Sequence, residues 1–506
     1  MPVSTTDLPT RALSPARRRL QRPGVALVIM LAAQLMVILD ATVVNIALPH
    51  IQGSLHFSPT SLSWVMNGYT LAFGGLLLLG GRAGDILGRR RVFLIGIGLF
   101  TVASLAGGLA LSAPWLLAAR AAQGVGGALA SPAVLALIVS AFPEGRSRTR
   151  ALGIYTGVVT GGSSLGLVLG GMITEWLSWR WVLFINVPIG IAVLIVGPLL
   201  LAETQRQPGR FDLTGAVTST AGMVALVYAF IRASTDGWGD RVTLGALVAG
   251  VLLLGAFLFN EANARQPITP LRLFGDLGRS GSYLARLLLV AGMFGMFFFL
   301  TQFLQDVLGF SPLRTGVAFL PMTVMLFGVS RLAPRLLARF APKPLMVAGM
   351  LPVIAGMAWL AAVTPGTGYL TGVLGPMLLL GGGMGVVFVP LTTASLAGVA
   401  PGDSGAASSM VNVMQQVGGS LGLAALVSVF GSASKSAAAH PVAGLTRLAQ
   451  AHHVLAHGMA TSFLVAAIFD ACALVVIVVT IRSRRPAAVP APVLASAAEE
   501  TAEAIE

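Results

Sequence analysis

The chain has 506 residues, of which 56% are hydrophobic and only 10% charged, with 61 glycines and a formal net charge of +14. Soluble domains carry about 25% charged residues, so the few here cannot coat the roughly three globules that this length would otherwise form. One cysteine, Cys472, excludes a disulfide scaffold, and the basic residues lie between apolar runs rather than in a patch, so nucleic acid is not an expected partner.

Apolar runs of about twenty residues, the length of one membrane crossing, recur fourteen times. The first six predicted spans are 25–48, 62–80, 92–111, 115–141, 150–173 and 181–201. A central pair follows at 213–231 and 242–260, and six more at 281–304, 314–333, 344–363, 372–397, 404–430 and 460–481. The expected organisation is a basic segment (1–24), a six-helix unit (25–201), a linker carrying two extra spans (202–280), a second six-helix unit (281–481) and a disordered tail (482–506). The run from Val25 to Leu48 is too long for a signal-peptide core.

With the N-terminus inside, 24 of the 32 basic residues fall on the cytoplasmic side, among them Arg17, Arg18, Arg19 and Arg22. Retention of basic loops inside therefore predicts a multi-pass protein of the cytoplasmic membrane with both termini cytoplasmic. A weak repeat links the halves. Gly81–Gly96 and Pro334–Gly349 align without gaps, pairing Val92 with Leu345, Gly96 with Gly349 and Asp85 with Ala338. Two related bundles around a central pathway are a frequent transporter plan.

Asp40 lies inside the first span, in LDATVVNIALP. A carboxyl at membrane depth is costly and marks an ion or substrate path, and removal from water favours its neutral form, so it can exchange a proton. Between spans two and three, Gly81, Asp85, Gly88, Arg89 and Arg90 form a charged segment, read as a tight turn whose acid latches one conformation. Arg120, early in the fourth span and followed by Gln123, Gly124, Gly126 and Gly127, is the natural partner of Asp40 because it keeps its charge. In the fifth span Gly162, Gly166, Gly170 and Gly171 permit close helix packing. Candidate substrate contacts are Trp64, Asn67, Tyr69, Gln123, Met293, Phe294, Phe298, Gln302, Gln305, Asn412, Gln415 and Gln416. Asp470 stands in the last span, and Arg286 in the ninth is expected either to face the cavity or to approach Asp306.

GRAGDILGRRR, the Arg120–Gly127 segment, LDATVVNIALP and WRWVLFINVPIG (Trp179–Gly190) together resemble the major facilitator superfamily. FLQDVLGFSPLRTGVAFLP (Phe303–Pro321), GAASSMVNVMQQVGGSLG (Gly405–Gly422) and the six-two-six layout narrow the likeness to its fourteen-span drug:proton antiporters. The resemblance implies an all-α membrane protein with two six-helix bundles plus two extra central helices. It implies export of small lipophilic or amphipathic compounds by alternating access, with protons as the coupling ion and no other cofactor. By the same resemblance Asp40 and Arg120 carry proton coupling, the Asp85 segment gates, and the fifth-span glycines are of antiporter type. Leu167 stands where such antiporters have proline, which removes an expected kink. An uptake symporter or an exporter of one endogenous metabolite is the alternative.

No phosphate-binding loop of the GxxxxGK type and no nucleophile–base pair occurs, so neither an ATP-driven pump nor an enzyme is expected. All six histidines (His50, His56, His440, His452, His453 and His457) fall in segments predicted to be outer loops. The last three have helical metal-ligand spacing with no carboxylate or cysteine beside them, so no metal site is expected. A single chain in contact with membrane lipid is the expected working unit.

Overall fold

The computed structural model describes residues 23–481, apart from 143–145, 205, 207–210, 265–266, 268 and 400–403. The basic N-terminal segment and the tail predicted to be disordered lie outside the described residues. Lipid offers backbone groups no partners, so the apolar runs fold as helices that satisfy their own N–H and C=O groups. Thirteen of the described helices are long and apolar enough to cross a membrane, and the bent helix Arg146–Trp176 makes a fourteenth. They are α1 (Gly24–Leu55), α2 (Ser61–Leu87), α3 (Arg89–Gly108), α4 (Ala113–Ala141), α5 (Arg146–Trp176), α6 (Trp181–Leu200) and α7 (Leu213–Asp236). The remainder are α8 (Arg241–Asn263), α9 (Leu277–Val307), α10 (Pro312–Leu337), α11 (Pro342–Leu360), α12 (Tyr369–Leu396), α13 (Ala406–Ala439) and α14 (Arg447–Thr480).

Helices α1–α6 pack as one bundle and α9–α14 as another, while α7 and α8 pair with each other. This hairpin docks through α7 on α2 and α13, one helix from each bundle. It is stapled at both ends. Asp212 caps α7 through the Gly215 N–H at 2.8 Å and accepts from Asn260 at 2.9 Å. At the opposite end Asp240 caps α8 and accepts from Arg232 Nε at 2.8 Å. The Arg232 guanidinium holds the Asp240 carboxyl below the usual carboxylate range, so the staple lasts above that range and is lost only on stronger acidification.

The repeat seen in the sequence is a packing repeat. A Cβ added at Gly96 on α3 would lie 2.7 Å from the Gly126 carbonyl oxygen on α4. One added at its counterpart Gly349 on α11 would lie 2.9 Å from the Gly383 carbonyl oxygen on α12. In each bundle the third and fourth helices thus meet backbone to backbone, where only glycine fits. We expect Gly126→Leu to prevent stable folding, since its Cβ would stand 2.7 Å from the Phe100 amide nitrogen. Loss of the monodisperse peak after detergent extraction is the check.

Three expectations change. The supposed turn between α2 and α3 shrinks to Gly88, because α2 continues through Asp85 to Leu87. His50 lies in α1, and α14 begins at Arg447, so His452, His453 and His457 are helical rather than in a loop. The absent proline does not straighten α5, which bends by 40° between Arg146–Ser163 and Leu165–Trp176. Gly161, Gly162 and Ser163 sit at the bend, and Gly/Ser pairs are a recognised cause of kinks.

Candidate functional site

The interior of the first bundle holds a buried ion pair. Asp40 on α1 and Arg120 on α4 are both 0% exposed, and Arg120 Nη1 donates to Asp40 Oδ2. The other carboxylate oxygen accepts from Gln123 Nε2 at 2.9 Å and from Asn186 Nδ2 of α6 at 3.0 Å. Gln123 also takes a bond from Arg120 at 2.9 Å and donates to Ser104 of α3 at 2.8 Å. Arg120 Nε donates to the Val65 carbonyl of α2 at 3.0 Å, and its guanidinium lies 4.5 Å from the Tyr69 ring centre. Five helices thus converge on one carboxyl. All three of its partners are donors, which suits an ionised acceptor.

A buried pair of this kind contributes little net stability, because desolvation offsets most of the attraction. What it supplies is a charge that a single proton cancels. The surroundings leave room for that change: Arg120 Nη2 and Asn186 Oδ1 have no hydrogen-bond partner among the described residues. Asn186 and Ser104 were not singled out in the sequence. Asn186 lies inside WRWVLFINVPIG, where an amide in an apolar run was the available signal.

Four contacts tie the bundles together at the end remote from the Arg89–Arg91 cluster. Asn45 of α1 donates to the Phe297 carbonyl at 3.3 Å and to Thr301 at 3.1 Å on α9. Gln305 donates to the Ile46 carbonyl at 2.9 Å, and Glu175 accepts from the Leu313 N–H at 2.9 Å. Gly162 and Gly170 lay α5 on α1, where added Cβ atoms would stand 2.8 Å from Leu35 and 2.9 Å from the Val43 backbone. Gly166 faces Thr42 of α1 in the same way. Gly171 instead faces the other bundle, its Cβ position 2.5 Å from the Pro312 carbonyl. Leu167, 2% exposed, lies in the same α5–α10 contact through its backbone against Gly316.

Toward the arginine-rich end α5 and α10 separate, since α5 packs on Pro312–Ala318 but scarcely on Leu320–Ser330. Cβ atoms added at Gly153, Gly157, Gly161 or Gly328 would meet nothing within 4 Å. Here Arg89 pairs with Asp85 at 3.0 Å and donates to the Ala136 carbonyl and to Ser140 of α4. Gly88 has φ +103°, and a Cβ there would lie 2.7 Å from the Glu203 carboxylate. Glu203, after α6, accepts from the Arg90 N–H at 3.1 Å, and Thr204 Oγ1 accepts from the Arg89 N–H at 3.2 Å, so together they cap α3. The contacts described for Asp85, Arg89 and Arg90 all stay within α2–α6 and the linker after it. Gly88→Ala is expected to destabilise the α2–α3 junction more than Glu203→Gln, because it adds backbone strain of about 1–3 kcal/mol to a displaced cap; the melting temperature after detergent extraction is the measurement.

The residues read as substrate contacts do not form one chamber. Tyr69 and Gln123 belong to the Asp40 cluster, and Asn67 is fully buried on α2 with both amide atoms unpartnered among the described residues. Trp64 packs toward the hairpin, 6.4 Å from the Tyr228 ring, and Gln416 lies on Gly74 at the α2–α13 contact. Gln305 helps close the remote end, as described. Phe298 and Gln302 are 2% and 3% exposed, while Met293 and Phe294 are half-buried, Phe294 against Gly419 of α13. Asn412 is exposed and donates to the Ser408 carbonyl of its own helix, and Gln415 is half-buried. Arg286 does not approach Asp306: twenty residues along one helix separate them by roughly 30 Å. Arg286 instead donates to Thr392 of α12, and Asp306 is exposed. Asp470 is fully buried against Gly292, with neither oxygen partnered among the described residues.

Residues 30–423 match the family described as the Major Facilitator Superfamily. The chain belongs to this superfamily. It is 47% identical to the puromycin resistance protein pur8 of Streptomyces alboniger over 80% of this chain and 81% of that one. It is 43% identical to the cephamycin export protein CmcT of Amycolatopsis lactamdurans, over 82% and 86% of the two chains. Among solved structures, an auto-inhibited POT family peptide transporter superposes with a TM-score of 0.64 at 16% identity, covering 92% of this chain and 98% of that one, a likeness of fold alone. The superfamily is one of membrane transporters, and the fourteen candidate spans in two bundles and a hairpin agree with it.

Proposed function

We propose that this major facilitator protein exports small lipophilic or amphipathic antibiotics across the cytoplasmic membrane in exchange for protons. The observation that carries this reading is the 47% and 43% identity to proteins named for puromycin resistance and cephamycin export. The buried Asp40–Arg120 pair supplies the proton site. With the arginine-rich end in the cytoplasm, as the retention of basic loops favours, the parted α5 and α10 face inward and the remote contacts form a closed outer gate.

Substrate enters while Asp40 is ionised and held by Arg120, Gln123 and Asn186. After the outer gate opens, a proton from outside neutralises Asp40 and releases Arg120. The Asn186 amide then turns its unpartnered oxygen toward the new O–H. Return to the inward-facing state delivers the proton to the cytoplasm. The membrane potential supplies ~2.3 kcal/mol per charge per 100 mV, roughly a fifty-fold gradient for one proton against a neutral substrate. The protein works as a single chain with protons as its coupling ion and with no cofactor or resident metal.

A susceptibility panel in an efflux-deficient host tests the reading. Expression is expected to raise tolerance to puromycin-like and other lipophilic antibiotics, and an unchanged panel contradicts it. Several relatives are named for a single antibiotic, among them tetracenomycin C and lincomycin. Protection confined to one chemical class therefore favours a dedicated exporter.

A further inference from the structure

Beside the transport pathway, the central hairpin builds an enclosure of its own. A cavity of about 230 Å³ lies between α2, α7, α8, α13 and the short turn Leu271–Phe274 that precedes α9. Its walls are almost wholly apolar. The hydroxyls in it are largely committed elsewhere: Thr70 donates to the Met66 carbonyl at 2.6 Å and Ser219 to the Ala216 carbonyl at 3.2 Å. One wall is the α2–α13 contact itself, where the aliphatic stem of Gln416 rests on Gly74.

Depth and access restrict what fills this space. The lining comes from Leu254–Leu258 near the end of α8, from Met410–Val417 near the start of α13 and from the turn before α9. All three place it in the membrane half adjoining the arginine-rich end, and Arg272 stands exposed on that turn. The rim opens sideways at Leu258 and Phe274, which are 54% and 38% exposed. Drug-sized ligands occupy pockets of ~300–1,000 Å³, so the space suits a slender apolar segment and not a whole drug. A bilayer presents such segments at high concentration, with phosphates at the depth of Arg272.

We propose that this cavity holds one acyl chain of a phospholipid from the adjoining leaflet, wedged between the hairpin and the α2–α13 contact. The site is independent of what the protein exports, since it needs neither Asp40 nor a substrate. An occupied site ties the hairpin, which no six-plus-six bundle requires, to the contact between bundles that must shift during alternating access.

The test uses the full chain in liposomes containing phosphatidylglycerol with a diazirine on one acyl chain, illuminated and then mapped by mass spectrometry. Labelling of residues 410–417 is expected to exceed that of the lipid-facing stretch 475–479 by about five-fold, an affinity difference near 1 kcal/mol. Leu258→Trp, which narrows the exposed rim, is expected to remove that excess and leave 475–479 unchanged. Val413→Trp on the opposite wall repeats the test should the first variant fold poorly. Equal labelling of the two stretches overturns the proposal, as does an excess that survives both variants. So does labelling of 410–417 by a diazirine alkylammonium ion but not by the phospholipid, which would make the cavity a substrate vestibule.

Discussion

Asp40→Asn is expected to abolish proton-driven export while the protein still folds. The amide keeps the size of the carboxyl: its oxygen can take the place of Oδ2 and accept from Arg120, while its Nδ2 takes the place of Oδ1 and donates to the Asn186 oxygen once that amide turns. It cannot gain and lose a proton, so the buried charge that a proton would cancel is no longer there to couple the cycle to the proton gradient. The host expressing it should be as susceptible as one carrying no transporter, with folded protein still present in the membrane, at a level below the parent's because the buried Arg120 keeps only neutral partners. Arg120→Ala should fare worse. It leaves a carboxylate fully buried without its cation, which costs about 3–5 kcal/mol, a large share of a typical folding free energy. Adding Asp40→Asn to Arg120→Ala is expected to restore the folded yield but not export. That split separates the pair's part in folding from its part in transport. Persistent export by Asp40→Asn would remove Asp40 from the coupling scheme.

Gly171→Leu is expected to stop transport by a different route, holding the outer gate open. The Gly171 Cβ position lies 2.5 Å from the Pro312 carbonyl and 2.7 Å from the Leu313 Cα of the other bundle, with only backbone to yield. Gly162, Gly166 and Gly170 face α1 within the same bundle, so the first bundle itself keeps its packing. Spin labels at Trp176 and Arg314, on either side of this contact, should be close in the parent and clearly farther apart in Gly171→Leu. An unchanged distance with normal export would show that the α5–α10 contact is not the gate.

The spans were legible because a bilayer allows few ways to satisfy a backbone, and long apolar runs therefore translate into helices almost one for one. Asp40 and Arg120 stood out for a related reason: charges at membrane depth are rare enough to be conspicuous. Their uncharged partners were harder to find. Asn186 and Ser104 resemble any other polar residue in an apolar helix, and only the packing of α3 and α6 brings them toward the cluster. The aromatic and amide residues offered as substrate contacts show the same limit. Helices apolar on every side carry no stripe that says which face meets lipid, a neighbour or a cavity. Trp64 therefore turns to the hairpin and Gln305 to the outer gate. At the α2–α3 junction the Asp85–Arg89 pair follows from i, i+4 spacing, whereas the cap supplied by Glu203 crosses more than a hundred positions and leaves no local trace. Leu167 in place of proline predicts a straighter α5, yet the helix bends by 40° just after Gly161, Gly162 and Ser163, residues that commonly permit a kink.

The most direct measurement is substrate movement in proteoliposomes across an imposed pH gradient, with the orientation of the chain fixed. Antibiotic should travel opposite to the proton flow, reverse direction when the gradient is reversed, and carry a matching pH change in the lumen that disappears with Asp40→Asn. Movement indifferent to the gradient, or identical in Asp40→Asn, would contradict proton exchange at this carboxyl.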